Sequence, residues 1–543
     1  MKNLKYILFI AFSVMISAQK NVDFIIQDAK IYTVNKNFDI AEAMAVSNGK
    51  IVAVGKNSEI LKKYISEKIY NLHGKTVYPG FIDAHLHFAG FALDQWKCEL
   101  WGTKSWEEIL EKLTVYAQTA PSEWVYGRSW DQNLWTKKEF PDKTELDRLF
   151  PNRPVYLKRV DGHAALANQT ALNLAGITIS TKVNGGEVEV KNGQLTGILL
   201  DNAMLLVEQH IPEIPDDVAL GYIKKLQEKV FANGLTSVHD CGITPHMFSL
   251  LEKSQAKKDL KLKIFALLQD DAETYDEWIS KGRFTNGAIT FGGYKVFSDG
   301  SIGSRGACLL HDYSDKKGWE GFMLRTPEQF RTLAKKLIKS NLQMCTHAIG
   351  DSANRTILSI YGEVLKRKND RRWRIEHAQI VNPDDFRLFG KYSVIPSVQP
   401  THATSDMFWA GTRLGTERLK HSYAYEELLW QNGWIPLGTD FPVEEINPLH
   451  TFYAAVARKD KSGFPKEGFQ TENALTREQT LRGMTIWAAK ASIDEKQKGS
   501  LEKGKAADFV ILSEDIMIVP EHEILKADVL ETWIDGEKVF SRK

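Results

Sequence analysis

Pro79-Gly80-Phe81-Ile82-Asp83-Ala84-His85-Leu86-His87 reads as a buried strand that ends in two histidines. Side chains alternate along a strand, so His85 and His87 point the same way and present two imidazoles together. A pair of neutral imidazoles suits a borderline divalent cation such as Zn2+. Two satisfied buried histidines would leave the same pattern, so the decision rests on residues further along the chain.

Downstream, strand-like runs alternate with amphipathic helical stretches, the pattern of a parallel α/β sheet. The expected strands are residues 80–87, 236–240, 263–268, 293–298, 343–347, 374–377, 393–397 and 435–439. Eight such units close a (β/α)8 barrel, whose active site lies at the C-terminal ends of the strands. His347, His377 and Asp440 fall at the ends of the fifth, sixth and eighth strands, and Lys295 lies within the fourth. A buried ammonium is costly and cannot bind a cation. Carbamylation by CO2 would turn Lys295 into an anionic ligand able to bridge two metals, whereas pairing with the nearby Asp299 would leave it a simple cation.

These motifs resemble the amidohydrolase superfamily, in particular the branch that holds the N-substituted formamide deformylases. The resemblance spans nearly the whole chain after residue 18. It is carried by residues 79–87, Asp161-Gly162-His163-Ala164-Ala165-Leu166, Gly234-Leu235-Thr236-Ser237-Val238-His239-Asp240 and Lys295-Val296-Phe297-Ser298-Asp299-Gly300-Ser301. His347-Ala348-Ile349-Gly350-Asp351, Glu376-His377-Ala378-Gln379, Gly438-Thr439-Asp440-Phe441-Pro442-Val443 and residues 503–510 complete it. It implies a centre of one or two divalent ions, Zn2+ by ligand type, held by His85, His87, Lys295, His347, His377 and Asp440. All six positions carry the residue the pattern expects. It further implies hydrolysis of a non-peptide, amide-like C–N bond by metal-activated hydroxide, an N-substituted formamide being one candidate, with Asp440 relaying the proton. His239 is a second catalytic candidate, and His163, His311 and His402 are candidates for substrate contact. Esters or lactones at the same centre, or non-catalytic capture of a ligand by an exported protein, remain open at this point.

Residues 88–235 separate the first strand from the second, far more than a βα loop needs. This stretch carries Trp96, Trp101, Trp106, Trp124, Trp130 and Trp135 and reads as an insertion, about 90–232, on the active-site face. The barrel is then 81–499. Residues 19–80 and 500–543 are rich in short β runs, with turns at Asn48-Gly49 and Asp535-Gly536, and are expected to meet in one composite β-sandwich.

Lys2 and Lys5, an apolar run over 6–16 and Ser17-Ala18-Gln19 match a cleavable signal peptide of residues 1–18. The run is shorter than the ~20 residues a membrane span needs. A periplasmic or secreted protein with no membrane span after cleavage is expected. Four scattered cysteines, Cys98, Cys241, Cys308 and Cys345, suggest buried thiols rather than a disulfide framework. With 70 basic against 69 acidic residues, nothing favours nucleic acid as a partner. The basic runs Lys366-Arg367-Lys368 and Arg371-Arg372 read as solvated helix ends. The expected partner is a small amide-like molecule, and a homodimer fits such families.

Overall fold

A computed structural model describes residues 19–543; the expected signal peptide lies outside the described residues. Seven parallel strands follow one another around a barrel: β1 (Phe81–Leu86), β2 (Leu235–Ile243), β3 (Lys263–Gln269), β4 (Ile289–Phe297), β5 (Gln343–Ala348), β6 (Arg374–His377) and β7 (Ile395–Ser397). The expected eighth strand is the point of difference. Residues 435–439 form an irregular segment, not a regular strand. It still closes the ring: Val398 N donates to Pro436 O and Gly438 N to Val398 O on one side, while Ala84 N donates to Leu437 O and Asp440 N to His85 O on the other. Pro436 lacks an N–H, and the Leu437 and Thr439 N–H groups donate instead to Gly483 O and Asp83 Oδ1, so a continuous ladder does not form.

Connecting helices start where the sequence can cap them. Thr326 and Gln329 make a capping box ahead of Pro327–Leu337, and Lys366 in a left-handed conformation ends Asp351–Leu365. Arg371 and Arg372 depart from the expected solvated helix end. Arg371 donates to Ile338 O, and Arg372 is buried against Asp370 and Glu495. All four cysteines are free thiols. No helix among the described residues is long and apolar enough to cross a membrane.

Both chain ends build sheets beside the barrel. Phe509–Leu512 pairs antiparallel with Thr76–Pro79, which joins C-terminal and N-terminal strands in one six-stranded sheet. A four-stranded sheet packs against it through Phe24, Ile26, Val77, Phe509 and Trp533. The Asn48-Gly49 hairpin is formed with both residues at positive φ, 51° and 72°. That is the type I′ geometry expected of Asn-Gly.

Between β1 and β2 the chain folds a separate six-stranded sheet over residues 98–201. Its two faces carry distinct apolar cores, one around Trp130, Trp135 and Leu157 and the other around Trp124, Tyr156 and Leu199. Most of the tryptophans therefore serve packing. Trp135 and Trp101 both line the large cavity over the barrel's strand ends, but Trp135 is buried and Trp101 is exposed.

Candidate metal centre

Alternation along the barrel strands sets which side chains look inward. On β5 these are Gln343, Cys345 and His347, and on β4 Gly293, Lys295 and Phe297. Cys241, Phe265, Leu267 and Cys345 fill the interior beneath the strand ends. Above them opens a cavity of about 960 Å3 whose floor includes His87, Lys295, His347, His377, His402 and Asp440.

Three ligand-type groups, from His85, His377 and Asp440, lie within 4.8 Å of one another and are all buried. His87 Nε2 is 3.1 Å and His85 Nε2 3.4 Å from Asp440 Oδ1. The His347 ring centroid is 4.6 Å from that of His377. The far nitrogens of three rings are already used. His85 Nδ1 meets Glu376 Oε2 at 2.6 Å, His87 Nδ1 meets Cys241 O at 2.7 Å and His377 Nδ1 meets Gln399 Oε1 at 2.8 Å. Each ring is thus held as an Nδ1–H donor with its Nε2 unprotonated, the tautomer a metal ligand requires; the His85 Nε2 lone pair faces Lys295 Nζ at 3.1 Å.

Electrostatics agrees with that tautomer. Burial, reinforced by Lys295, pulls His85 down to about 4. Burial likewise lowers His347 and His377 well below the usual imidazole range. Burial opposes charge on Asp440, but His85, His402 and His87 outweigh it and keep the carboxylate ionised. Its Oδ1 is buried without a hydrogen-bond partner. Neutral nitrogens around an orphaned anionic oxygen form a donor set that fits a divalent cation.

Backbone conformation helps assemble this set. His377, Ala378 and Asp440 have φ of 75°, 45° and 60°. Such values are uncommon without glycine and cluster at functional sites. Arg374 and Glu376 share the inward face of β6, so simple alternation would turn His377 away. The left-handed turn swings its ring back into the cavity.

Lys295 is 1% exposed, its Nζ is 3.1 Å from His85 Nε2, and it has no ion pair with any described carboxylate. Asp299 is not its partner. It accepts instead from the backbone N–H groups of Cys308, Ile349 and Gly350, and burial raises it to about 7.

The remaining candidates divide. His402 lines the cavity between two carboxylates, with Nε2 3.1 Å from Asp440 Oδ2 and Nδ1 3.2 Å from Glu444 Oε1. Burial works against its charge, but those hydrogen bonds push it up to about 10. His163 also lines the cavity, with Nδ1 2.6 Å from Asp201 Oδ1 and its ring 4.9 Å from that of His347. His239 is not brought to the cavity. It sits two residues before Cys241 on β2, about 6.6 Å deeper at ~3.3 Å per residue, and meets Arg374 Nη1 at 3.2 Å. A catalytic role for His239 does not fit this geometry. His311 is exposed on the loop after β4, where only its carbonyl is engaged, by Arg418. Sequence reasoning missed Glu376, although its i−1 position to a candidate ligand histidine at a strand end was a usable signal. It also missed Glu444 and Gln399, which carry none.

The sequence profile of the amidohydrolase family matches residues 68–540. The chain is 33% identical to Protein LONG AFTER FAR-RED 3 of Arabidopsis thaliana, over 95% of this chain and 91% of that one. It is 28% identical to the N-substituted formamide deformylase of Arthrobacter pascens, over 96% and 98%. Among solved structures, a metal-dependent hydrolase from Pyrococcus horikoshii superposes with a TM-score of 0.75 at 28% identity, over 92% of this chain and 99% of that one.

Proposed function

Because this chain belongs to the amidohydrolase family, we propose that it hydrolyses a non-peptide, amide-like C–N bond at a centre held by His85, His87, Lys295, His347, His377 and Asp440. The observation that carries this reading is the convergence of His85, His377 and Asp440 within 4.8 Å. A divalent cation, Zn2+ by the nitrogen-rich donor set, would polarise the substrate carbonyl and lower the pKa of water from 15.7 towards about 7. Carbamylated, Lys295 would add an anionic oxygen ligand, and its lack of a carboxylate partner supports that state. Asp440 receives the proton released when water adds to the carbonyl carbon and returns it to the nitrogen as the C–N bond breaks. His402 steers it, holding Oδ2 by hydrogen bond so that Oδ1 faces the imidazoles. The named activity of the Arthrobacter relative makes N-substituted formamides the first substrates to try. Residues 1–18 as a signal peptide would make this an exported enzyme.

The test is turnover of a panel of formamides, acyl amines and esters by metal-loaded protein, with and without a chelator. Asp440→Asn should lower amide turnover about 10^2–10^4-fold while the protein stays folded. Full activity of Asp440→Asn, or hydrolysis of esters alone, would overturn the reading.

A further inference from the structure

A cavity of about 960 Å3 sits at the top of the ~300–1,000 Å3 range of small-molecule sites. A bare formamide or acetamide would leave most of it unfilled. The mouth and walls, above the metal-ligand floor, therefore describe the rest of the substrate.

Four large apolar side chains line this cavity and yet remain 38% to 55% exposed: Trp101, Leu134, Leu205 and Phe408. Trp101, Leu134 and Leu205 come from the insertion, and Phe408 from the segment after β7, where it stacks on Phe464 at 5.5 Å between ring centroids. Leaving such groups in water is unfavourable, and exposed apolar residues grouped at one concavity mark a binding surface. The buried cations of the walls are matched internally. Lys158 pairs with Glu208 at 3.0 Å, Arg159 with Asp131 and Asp161, and Arg128 with Glu99. These three cations are therefore not free to capture an anionic group, and the wall charges without an ion pair, the exposed Lys138 and Asp406, which accepts from the Tyr423 hydroxyl, are of opposite sign.

We propose that these four residues form a collar that binds an uncharged apolar tail, so that the substrate is an amide-like compound bearing a long alkyl, acyl or aryl group. This inference rests on the hydrolytic reading above and names the substrate class of the same site. The occupant is the substrate itself, because the collar is continuous with the ligand floor.

The experiment uses N-alkyl formamides of two to ten carbons and their analogues ending in a carboxylate or an ammonium. Holoenzyme kcat/KM should rise about fourfold per added methylene while the tail lies within the collar, and a terminal charge should reverse the gain. The double variant Trp101→Ala/Phe408→Ala should reduce the ten-carbon to two-carbon ratio by about tenfold or more. Binding of the same series to metal-loaded Asp440→Asn is measured in parallel, so that turnover is not required. Length-dependent binding without turnover of any amide would sink hydrolysis and keep the collar. Turnover and binding that ignore tail length would sink the collar and keep hydrolysis. A double variant that changes only the oligomeric state would assign these residues to a subunit contact and overturn the proposal.

Discussion

Replacing Glu376 by Gln should separate metal affinity from fold stability in a measurable way. Glu376 is fully buried and serves two partners: His85 Nδ1 at 2.6 Å through Oε2, and Arg374 Nη1 at 3.6 Å through Oε1. Burial opposes its charge, but His85 and Arg374 outweigh that and bring it down to about 2. Gln keeps the shape and an acceptor oxygen, and loses the charge that strengthens the Nδ1–H bond and compensates the guanidinium. Loss of an outer partner of a ligand histidine costs about 10–100-fold in metal affinity, or about 1.4–2.7 kcal/mol. Loss of one member of a buried ion pair costs about 3–5 kcal/mol; Gln still bonds His85, so the lower end is expected. Chelator competition measures the first effect, and urea unfolding of metal-free protein the second. The double variant Arg374→Met/Glu376→Gln should recover most of the stability and none of the affinity. Affinity within threefold of the parent for Glu376→Gln would refute a carboxylate-oriented His85.

Three further outcomes rest on the same geometry. His85 is held neutral, down to about 4 against an ordinary 6.5, so the folded chain binds fewer protons than the unfolded one between those values. Metal-free protein should then lose about 3 kcal/mol as pH falls from 6.5 to 4, and Glu376, lowered from 4.5 to about 2, extends the loss below that; urea midpoints unchanged across the window would contradict both. Intact mass under native conditions should show one bound CO2 that is absent from Lys295→Met, which should also bind less metal; a parent protein free of CO2 at full metal content and activity would remove the carbamate. A methyl at Gly438 would lie 2.5 Å from His85 N and 2.8 Å from Asp83 Oδ1, so Gly438→Ala should part the closing segment from β1 and abolish metal binding, with about 1–3 kcal/mol lost to overpacking; calorimetric metal titration at the parent's affinity would show that the barrel seam yields.

The sequence made the barrel and its floor readable because their signals are local. Alternation put His85 with His87 and placed His347 inward, and both observations need only a few neighbouring residues. Periodicity gives the side of a strand and not the depth. His239 and Cys241 share an inward face, yet only Cys241 reaches the cavity. The closing segment read as a strand from its apolar run, while its ladder depends on Pro436 and on partners in β1 and β7 that the run does not reveal. His377 is the opposite case: alternation alone would have turned it outward, and a left-handed backbone restores it.

The walls were least legible because their chemistry consists of pairings across the chain. Arg159 reads as a free cation until Asp131, which precedes it by 28 residues, lies against it. His402 reads as a loop histidine until Asp440 and Glu444 close on it from the far end of the barrel. In the proposed reading, strand ends of the barrel supply the groups that break the bond, and the insertion supplies most of the collar and the neutralised walls above them. A relative that kept the floor and exchanged the insertion would then keep the reaction and change the substrate. Grafting residues 90–232 from such a relative tests that division: reaction type and metal content should stay with the barrel, and tail preference should travel with the graft. A chimera that retained the parent's tail preference would return specificity to the barrel loops, with Phe408 as the first residue to examine.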